Sequence, residues 1–142
     1  MDIPLNVIPI EPEGYHLLMH AIINGYKANV LVDTGASRTI MDLSRAGHYL
    51  ASNQIRKYNK FFTGMGAGKI DTYVTTLPIF SVGSIRLTDL EILLIDMSSI
   101  NASYALYDLP RIDMVLGGDL LVKLSAVIDY QKKILKTTTS TG

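Results

Sequence analysis

The chain has no cysteine. That removes disulfides, thiol nucleophiles and thiolate metal sites together, and it fits a reducing, cytoplasmic compartment. It has no excess of either charge, with 13 Lys and Arg against 13 Asp and Glu. A nucleic-acid grip needs a basic face. A membrane-surface helix needs basic residues beside an amphipathic stretch. Neither pattern is present, so nucleic acid and membrane are not expected partners. No apolar run approaches the ~20 residues of a membrane span. The opening MDIPLNVIPIEPEG lacks the basic segment and unbroken apolar stretch of a signal peptide. No segment repeats at a fixed period. What remains is a chain of 142 residues, 48% hydrophobic, which is long enough for one well-buried core and too apolar for disorder. A single domain over 1–142 is expected.

The texture is that of strands. Residues 15–23 and 26–32 are apolar and β-branched runs separated by Asn24-Gly25, a pair that tolerates the positive φ of a tight hairpin. Residues 56–63 and 70–80 flank the glycine-rich turn Gly64-Met65-Gly66-Ala67-Gly68. Further strands are expected at 85–87, 90–95, 114–116, 126–130 and 134–137. Two short helices are expected. One starts from Asp42 as N-cap, with Leu43, Ala46, Leu50 and Ala51 on one face. The other runs over 119–124 with Asp119 as N-cap. Between 97 and 113, Ser98, Ser99, Asn101 and Ser103 read as loop, with room for one turn at 104–107. The tail after 137 has no apolar face, and both pairing and fraying are open to it.

The sharpest chemical feature is Val30-Leu31-Val32-Asp33-Thr34-Gly35-Ala36-Ser37. A strand runs straight into a carboxylate at a position that its pattern marks as interior. A charge there is costly unless other groups pair with it. A plain turn after a strand is the alternative reading, since Asp and Gly favour turns. Later comes Met114-Val115-Leu116-Gly117-Gly118-Asp119, a short strand, a glycine pair and a helix start.

Taken in order, Asp-Thr-Gly-Ala, a glycine-rich hairpin tip and an apolar-apolar-Gly strand before a helix, this chain resembles the retropepsin-like aspartic proteases. Its texture looks most like the free-standing bacterial members, with its own Met and the extra segment 42–54. The resemblance implies an all-β closed barrel with one or two short helices, and a flap hairpin at about 57–77. It implies that Asp33 is the catalytic aspartate. Thr34 would lock two active-site loops together, and Gly35 would face the substrate with its backbone. Ala36 would sit beside the carboxylate without a hydroxyl to donate, which suits a mildly acidic optimum. Val115, Leu116 and Gly117 would pack beside the catalytic loop. Gly64, Met65, Gly66, Ala67 and Gly68 would form the flap tip over a bound polypeptide, where glycines let backbone approach a ligand. Many retroviral members carry an Asp and an Arg where this chain has Ser37 and Gly118, so their substrate-side ion pair is absent.

Aspartic proteases work with two carboxylates sharing one proton. The chain carries one Asp-Thr-Gly and no Asp-Ser-Gly. The dyad therefore requires a homodimer with a two-fold axis. By the family's habit of pairing termini, Ile3, Leu5, Val7, Ile10 and the tail after Leu135 are the expected interface strands. The expected activity is that of an aspartic endopeptidase with no cofactor and no metal. The alternative is a non-proteolytic dimer of the same fold that binds peptides or serves in assembly.

Other signals carry less. Gly64-x-Gly66-x-Gly68 lacks the spacing of a dinucleotide loop and precedes a strand pattern instead of a helix. His16 and His20 are four apart on an expected strand with no acidic residue between them, which is not a metal pair. No Gly-x-Ser-x-Gly elbow exists for a serine hydrolase.

Overall fold

A computed structural model describes residues 1–10, 14–58 and 71–138. The expected flap tip from Gly64 to Gly68, most of the strand before it and the end of the tail lie outside the described residues.

The N-terminus forms β1 (Asp2–Pro4) and β2 (Asn6–Ile10). The hairpin of β3 (Gly14–Ile23) and β4 (Tyr26–Val32) turns at Asn24 and Gly25, whose φ angles are 48° and 88°. Both central residues are left-handed, which matches the twist of the flanking strands. After β5 (Ile40–Asp42) come a 3₁₀ turn (Leu43–Arg45), α1 (Ala46–Tyr49) and a second 3₁₀ turn (Ser52–Gln54). β6 (Arg56–Lys57) and β7 (Tyr73–Val82) are antiparallel neighbours. β8 (Ile85–Ile95), α2 (Ser98–Leu106), β9 (Met114–Leu116), α3 (Gly118–Lys123), β10 (Val127–Asp129) and β11 (Ile134–Lys136) complete the chain.

The larger sheet runs β2-β3-β4-β9-β5-β8-β7-β6, and β7 also pairs with β3 through Ile22↔Ser81 and Ile23↔Phe80. That last pairing closes β3, β4, β9, β5, β8 and β7 into a six-stranded barrel, which removes the open edges of those strands. Inside it lie Met19, Ile23, Val30, Phe80, Leu87, Ile92, Leu94, Met114 and Leu116, all nearly or fully buried. β9 is the central strand: it lies parallel to β4 and antiparallel to β5. It therefore brings Gly117 and α3 beside the end of β4.

Three expectations change. The strands at 85–87 and 90–95 are one strand, β8. Its register against β7 is continuous on both sides of Asp89, with Leu77↔Leu90 and Ile79↔Thr88. Asp89 has φ 54° and lies opposite Pro78, which has no N–H to give the ladder. The chain kinks there without ending the strand. The segment read as loop at 98–103 is helical, as the first two turns of α2. The second short helix begins one residue early, with Gly117 and not Asp119 in the capping position.

The termini meet each other. β1, β11 and β10 form their own sheet within one chain, with Ile3 opposite Leu135. The terminal amine donates to Thr137 O at 2.9 Å, and Thr137 N–H donates to Met1 O at 2.9 Å. Ile3, Leu5 and Ile10 are buried against their own chain, and Val7 is half-buried. One edge of β1 is thus paired within the chain, because β11 returns as a hairpin to receive it.

Candidate active site

Asp33 stands at the end of β4, one residue beyond its last pairing with β9. Its N–H donates to Leu116 O at 3.0 Å, which continues the β4–β9 ladder by one step. The chain then turns. Gly35 N–H donates to Asp33 Oδ1 at 2.9 Å, and Ala36 N–H donates to Asp33 O at 3.2 Å. The carboxylate is half-buried, while Thr34 and Gly35 are exposed. Two apolar residues of β4, Val30 and Val32, anchor the strand in the core. The carboxylate is thereby carried to the rim of the barrel on a rigid support.

The loop from Thr34 to Arg38 is held by β9 and α3. Gly118 N–H donates to Ala36 O at 2.7 Å, and Asp119 N–H donates to Ser37 O at 3.3 Å. Gly117 is packed so closely that a Cβ on it would stand 2.7 Å from Arg38 O and 2.8 Å from Ala36 O. Only a residue without a side chain lets the two segments meet there. Val115 and Leu116 are buried in the strand beside the loop.

Thr39 and Asp119 are residues that sequence reasoning missed as site supports. Thr39 is fully buried. Its hydroxyl donates to Asp119 Oδ1 at 2.7 Å and accepts from Gly117 N–H at 3.1 Å. Its N–H donates to Asp119 Oδ2 at 3.1 Å. Asp119 was read as a helix cap; its carboxylate instead clamps the start of β5 to α3. A signal existed in a polar Thr-Ile-Met-Asp entry to a strand, but nothing local says which distant carboxylate Thr39 meets. Arg38 lies 3.6 Å from Asp119 and 3.4 Å from Glu91. These are surface pairs of small energetic weight.

Beside Thr34 lies an open, mostly apolar pocket lined by Gly118, Leu121, Val122, Ser125 and Ala126. Val122 and Val127 stand exposed. Among the described residues, the outer edge of β10, like that of β1, is unpaired in its sheet.

Above β3 and the Asp33 loop sits α2. Tyr104, only 5% exposed, packs with Leu18, Met97, Ile112 and Val115, and Ala36 joins that cluster. Its hydroxyl shares a hydrogen bond with His16 Nδ1. The Tyr104 hydroxyl is pushed up to about 12, first by burial and then by the negative charge of Asp33. His16 and His20 are on β3 as expected. Among the described residues, no group of three His, Asp or Glu side chains is placed to hold a metal ion. No helix among them is long and apolar enough to cross a membrane.

Residues 19–120 match the aspartyl protease family. DNA damage-inducible protein 1 of Neurospora crassa is 31% identical over 121 residues, which cover 84% of this chain and 24% of that protein. The chain thus spans about a quarter of the length of the curated relative it matches. A retropepsin-like aspartic protease from Rickettsia conorii superposes with a TM-score of 0.57 at 20% identity, over 94% of this chain and 89% of that one. The retroviral protease-like domain of Ddi1 from Leishmania major gives 0.60 at 16% identity, over 87% and 89%. EIAV protease complexed with the inhibitor HBY-793 gives 0.57 at 21% identity, over 86% and 99%. These likenesses establish a retropepsin-like fold, and the family match covers the Asp33 loop, β9 and the start of α3. The chain belongs to the aspartyl protease family.

Proposed function

We propose that this chain is an aspartic endopeptidase that cleaves polypeptides as a homodimer, with one Asp33 from each copy. The carrying observation is the position of Asp33. A half-buried carboxylate at the barrel rim has one backbone N–H on Oδ1, and it stands next to an exposed threonine on an open apolar face. A single such carboxylate is half of a dyad. One Asp33 is ionised and acts as general base on a water. The other is protonated and donates to the scissile carbonyl. The tetrahedral intermediate collapses as a proton passes to the leaving amine.

The dimer forms on the face that holds Thr34. There the open edge of β10, exposed Val122 and Val127, and the pocket beside Thr34 adjoin the Asp33 loop. The outer edge of β1 lies elsewhere: the side chain of the neighbouring Met1 reaches Ser84, in the β7–β8 turn. The testing experiment is hydrolysis of a peptide library by wild type and Asp33→Asn, with pepstatin as a probe. Wild type is expected to cleave and Asp33→Asn is not, with both folded. Turnover by Asp33→Asn within about tenfold of wild type would remove Asp33 from the mechanism.

A second reading is a non-proteolytic peptide-binding or assembly module. It is favoured by the curated relative, whose name speaks of induction by DNA damage and not of proteolysis. A binding module has no need of a carboxylate at the barrel rim, and the same Asp33→Asn comparison separates the two.

A further inference from the structure

Side chains alternate along a strand. Val30 and Val32 of β4 point into the barrel core, and Leu31 points out of it, into a second apolar cluster. Asp33 N–H continues the β4–β9 ladder to Leu116 O at 3.0 Å, so Asp33 follows Leu31 on the outer face. That cluster holds Leu18, Leu31 and Val115 from the strands and Ala36 from the Asp33 loop itself. Leu31 and Val115 are directly paired, side by side below Asp33. The carboxylate therefore borders an apolar recess.

One ring fills that recess. Tyr104 is the only buried side chain of α2, whereas Ile100 and Leu106 of the same helix are exposed. Burial first, and then the charge of Asp33, push the Tyr104 hydroxyl up to about 12, so the ring lies within electrostatic reach of the carboxylate. The ring is fixed at both ends. Its hydroxyl shares a hydrogen bond with His16 Nδ1, and the imidazole stacks on it at 5.6 Å between centroids. Its backbone is fixed by Asn101, which accepts from Ile112 N–H at 2.7 Å and donates to Ile112 O at 3.1 Å, and by Met97 N–H, which donates to the buried Asp42 at 3.1 Å. A helix that buries one side chain and is tied down on either side of it acts as a mount for that ring.

An extended peptide laid across Asp33 turns its side chains alternately to opposite sides. A side chain next to the cleaved bond that turns toward α2 meets Ala36, Leu31 and Val115 only where Tyr104 leaves room. We propose that Tyr104 is a specificity-determining residue: its ring occupies the apolar recess beside Asp33 and leaves a shallow subsite, which admits small side chains such as Ala or Ser next to the cleaved bond and turns away Phe, Tyr and Leu. This rests on the proteolytic reading for the position of the cleaved bond; the selection of side chains requires only that a peptide binds there. A ring that merely packed α2 against the barrel would affect stability and rate alike for every peptide. A ring that sets the depth of a subsite changes the ratio between peptides.

Two measurements test this. The first is cleavage-site profiling on a randomised decapeptide library with wild type, Tyr104→Ala, Tyr104→Leu and Tyr104→Phe, each checked for folding by thermal melting. Wild type is expected to cut beside small residues. Tyr104→Ala is expected to raise the ratio of kcat/KM for Phe over Ala at that position by about tenfold or more, since even one methylene group in an apolar pocket changes selection by about that factor. Tyr104→Leu, which keeps an apolar side chain in the cluster should the alanine variant not fold, gives a smaller rise. Tyr104→Phe keeps the wild-type ratio, because the ring and not the hydroxyl takes up the space. The second measurement needs no hydrolysis. The same library is captured on immobilised Asp33→Asn, with and without Tyr104→Leu or Tyr104→Ala, and the enrichment of aromatic over small residues is read by mass spectrometry. The same direction of change is expected. A side-chain preference that is unchanged in the alanine and leucine variants, or a wild type that cuts beside Phe as readily as beside Ala, overturns the proposal. So does failure of Asp33→Asn to capture any peptide. Absence of any hydrolysis that Asp33→Asn abolishes would instead sink the proteolytic reading, while the capture series still decides whether Tyr104 selects the side chain.

Discussion

Gly117 shows how a single residue can fix the site. Its φ is −100°, which any residue adopts. Glycine is needed for space and not for backbone freedom, because Ala36 O and Arg38 O press from both sides. Gly117→Ala is expected to push the Asp33 loop away from β9, to cost about 1–3 kcal/mol by overpacking, and to lower kcat. Gly47 makes the contrast: an added Cβ there meets nothing within 4 Å. Gly47→Ala is expected to be neutral or stabilising by up to about 1 kcal/mol through helix propensity. Chemical denaturation of both variants checks this, and equal losses would contradict the packing argument. At this scale Asp33 was legible because a carboxylate ends an apolar strand and a glycine follows. The partnership of Thr39 with Asp119 was not, because it joins residues far apart in sequence and neither has a local signature.

Among elements, α2 is the one that sequence patterning reads least well. Ser98, Asn101 and Ser103 are indifferent helix formers, and Tyr104 is the only buried side chain in the helix. The helix exists because its polar groups are answered from the barrel. Asp42, fully buried at the end of β5, accepts from Ser44 N–H at 3.1 Å, Ser44 Oγ at 2.9 Å, Met97 N–H at 3.1 Å and Asn101 Nδ2 at 3.3 Å. The sequence reading of Asp42 as a cap was sound for the 3₁₀ turn at Leu43–Arg45, but its second task, anchoring α2, was invisible locally. The neighbouring carboxylate Asp113, also buried, accepts from Asn29 N–H and Arg45 Nε. The bond to Asp113 raises the Arg45 guanidinium above its ordinary range. Asp42→Ala leaves several buried donors without an acceptor and is expected to cost at least about 3 kcal/mol. It also frees α2 from its seat over the Asp33 loop. Hydrogen exchange should then show loss of protection in α2 ahead of the barrel strands; retained protection would mean that Asn101 and Tyr104 hold the helix alone. By contrast, the β3–β4 hairpin was plain in the sequence, since Asn-Gly and two alternating runs are local signals that the barrel only confirms.

For the whole molecule, the closed barrel leaves few places for another chain to join. The terminal sheet pairs one edge of β1, and the face with Thr34 and α3 is open. If two copies meet there, the Thr34 hydroxyls hydrogen-bond across the axis. Thr34→Val is then expected to weaken the dimer by about 1–3 kcal/mol per lost bond, while Ser37→Ala leaves it unchanged. Sedimentation of the two variants over a dilution series checks this, and equal dissociation constants would remove the interlock.

The most direct test of a dyad shared between two chains is a mixing series of wild type and Asp33→Asn at constant total protein, with time for copies to exchange. If each active centre needs an intact Asp33 from both copies, only pure wild-type pairs cleave, and activity follows the square of the wild-type fraction. An equal mixture should retain about a quarter of full activity. A linear fall, with about half the activity left at equal mixture, would mean that one chain carries a complete active centre, and would contradict the account.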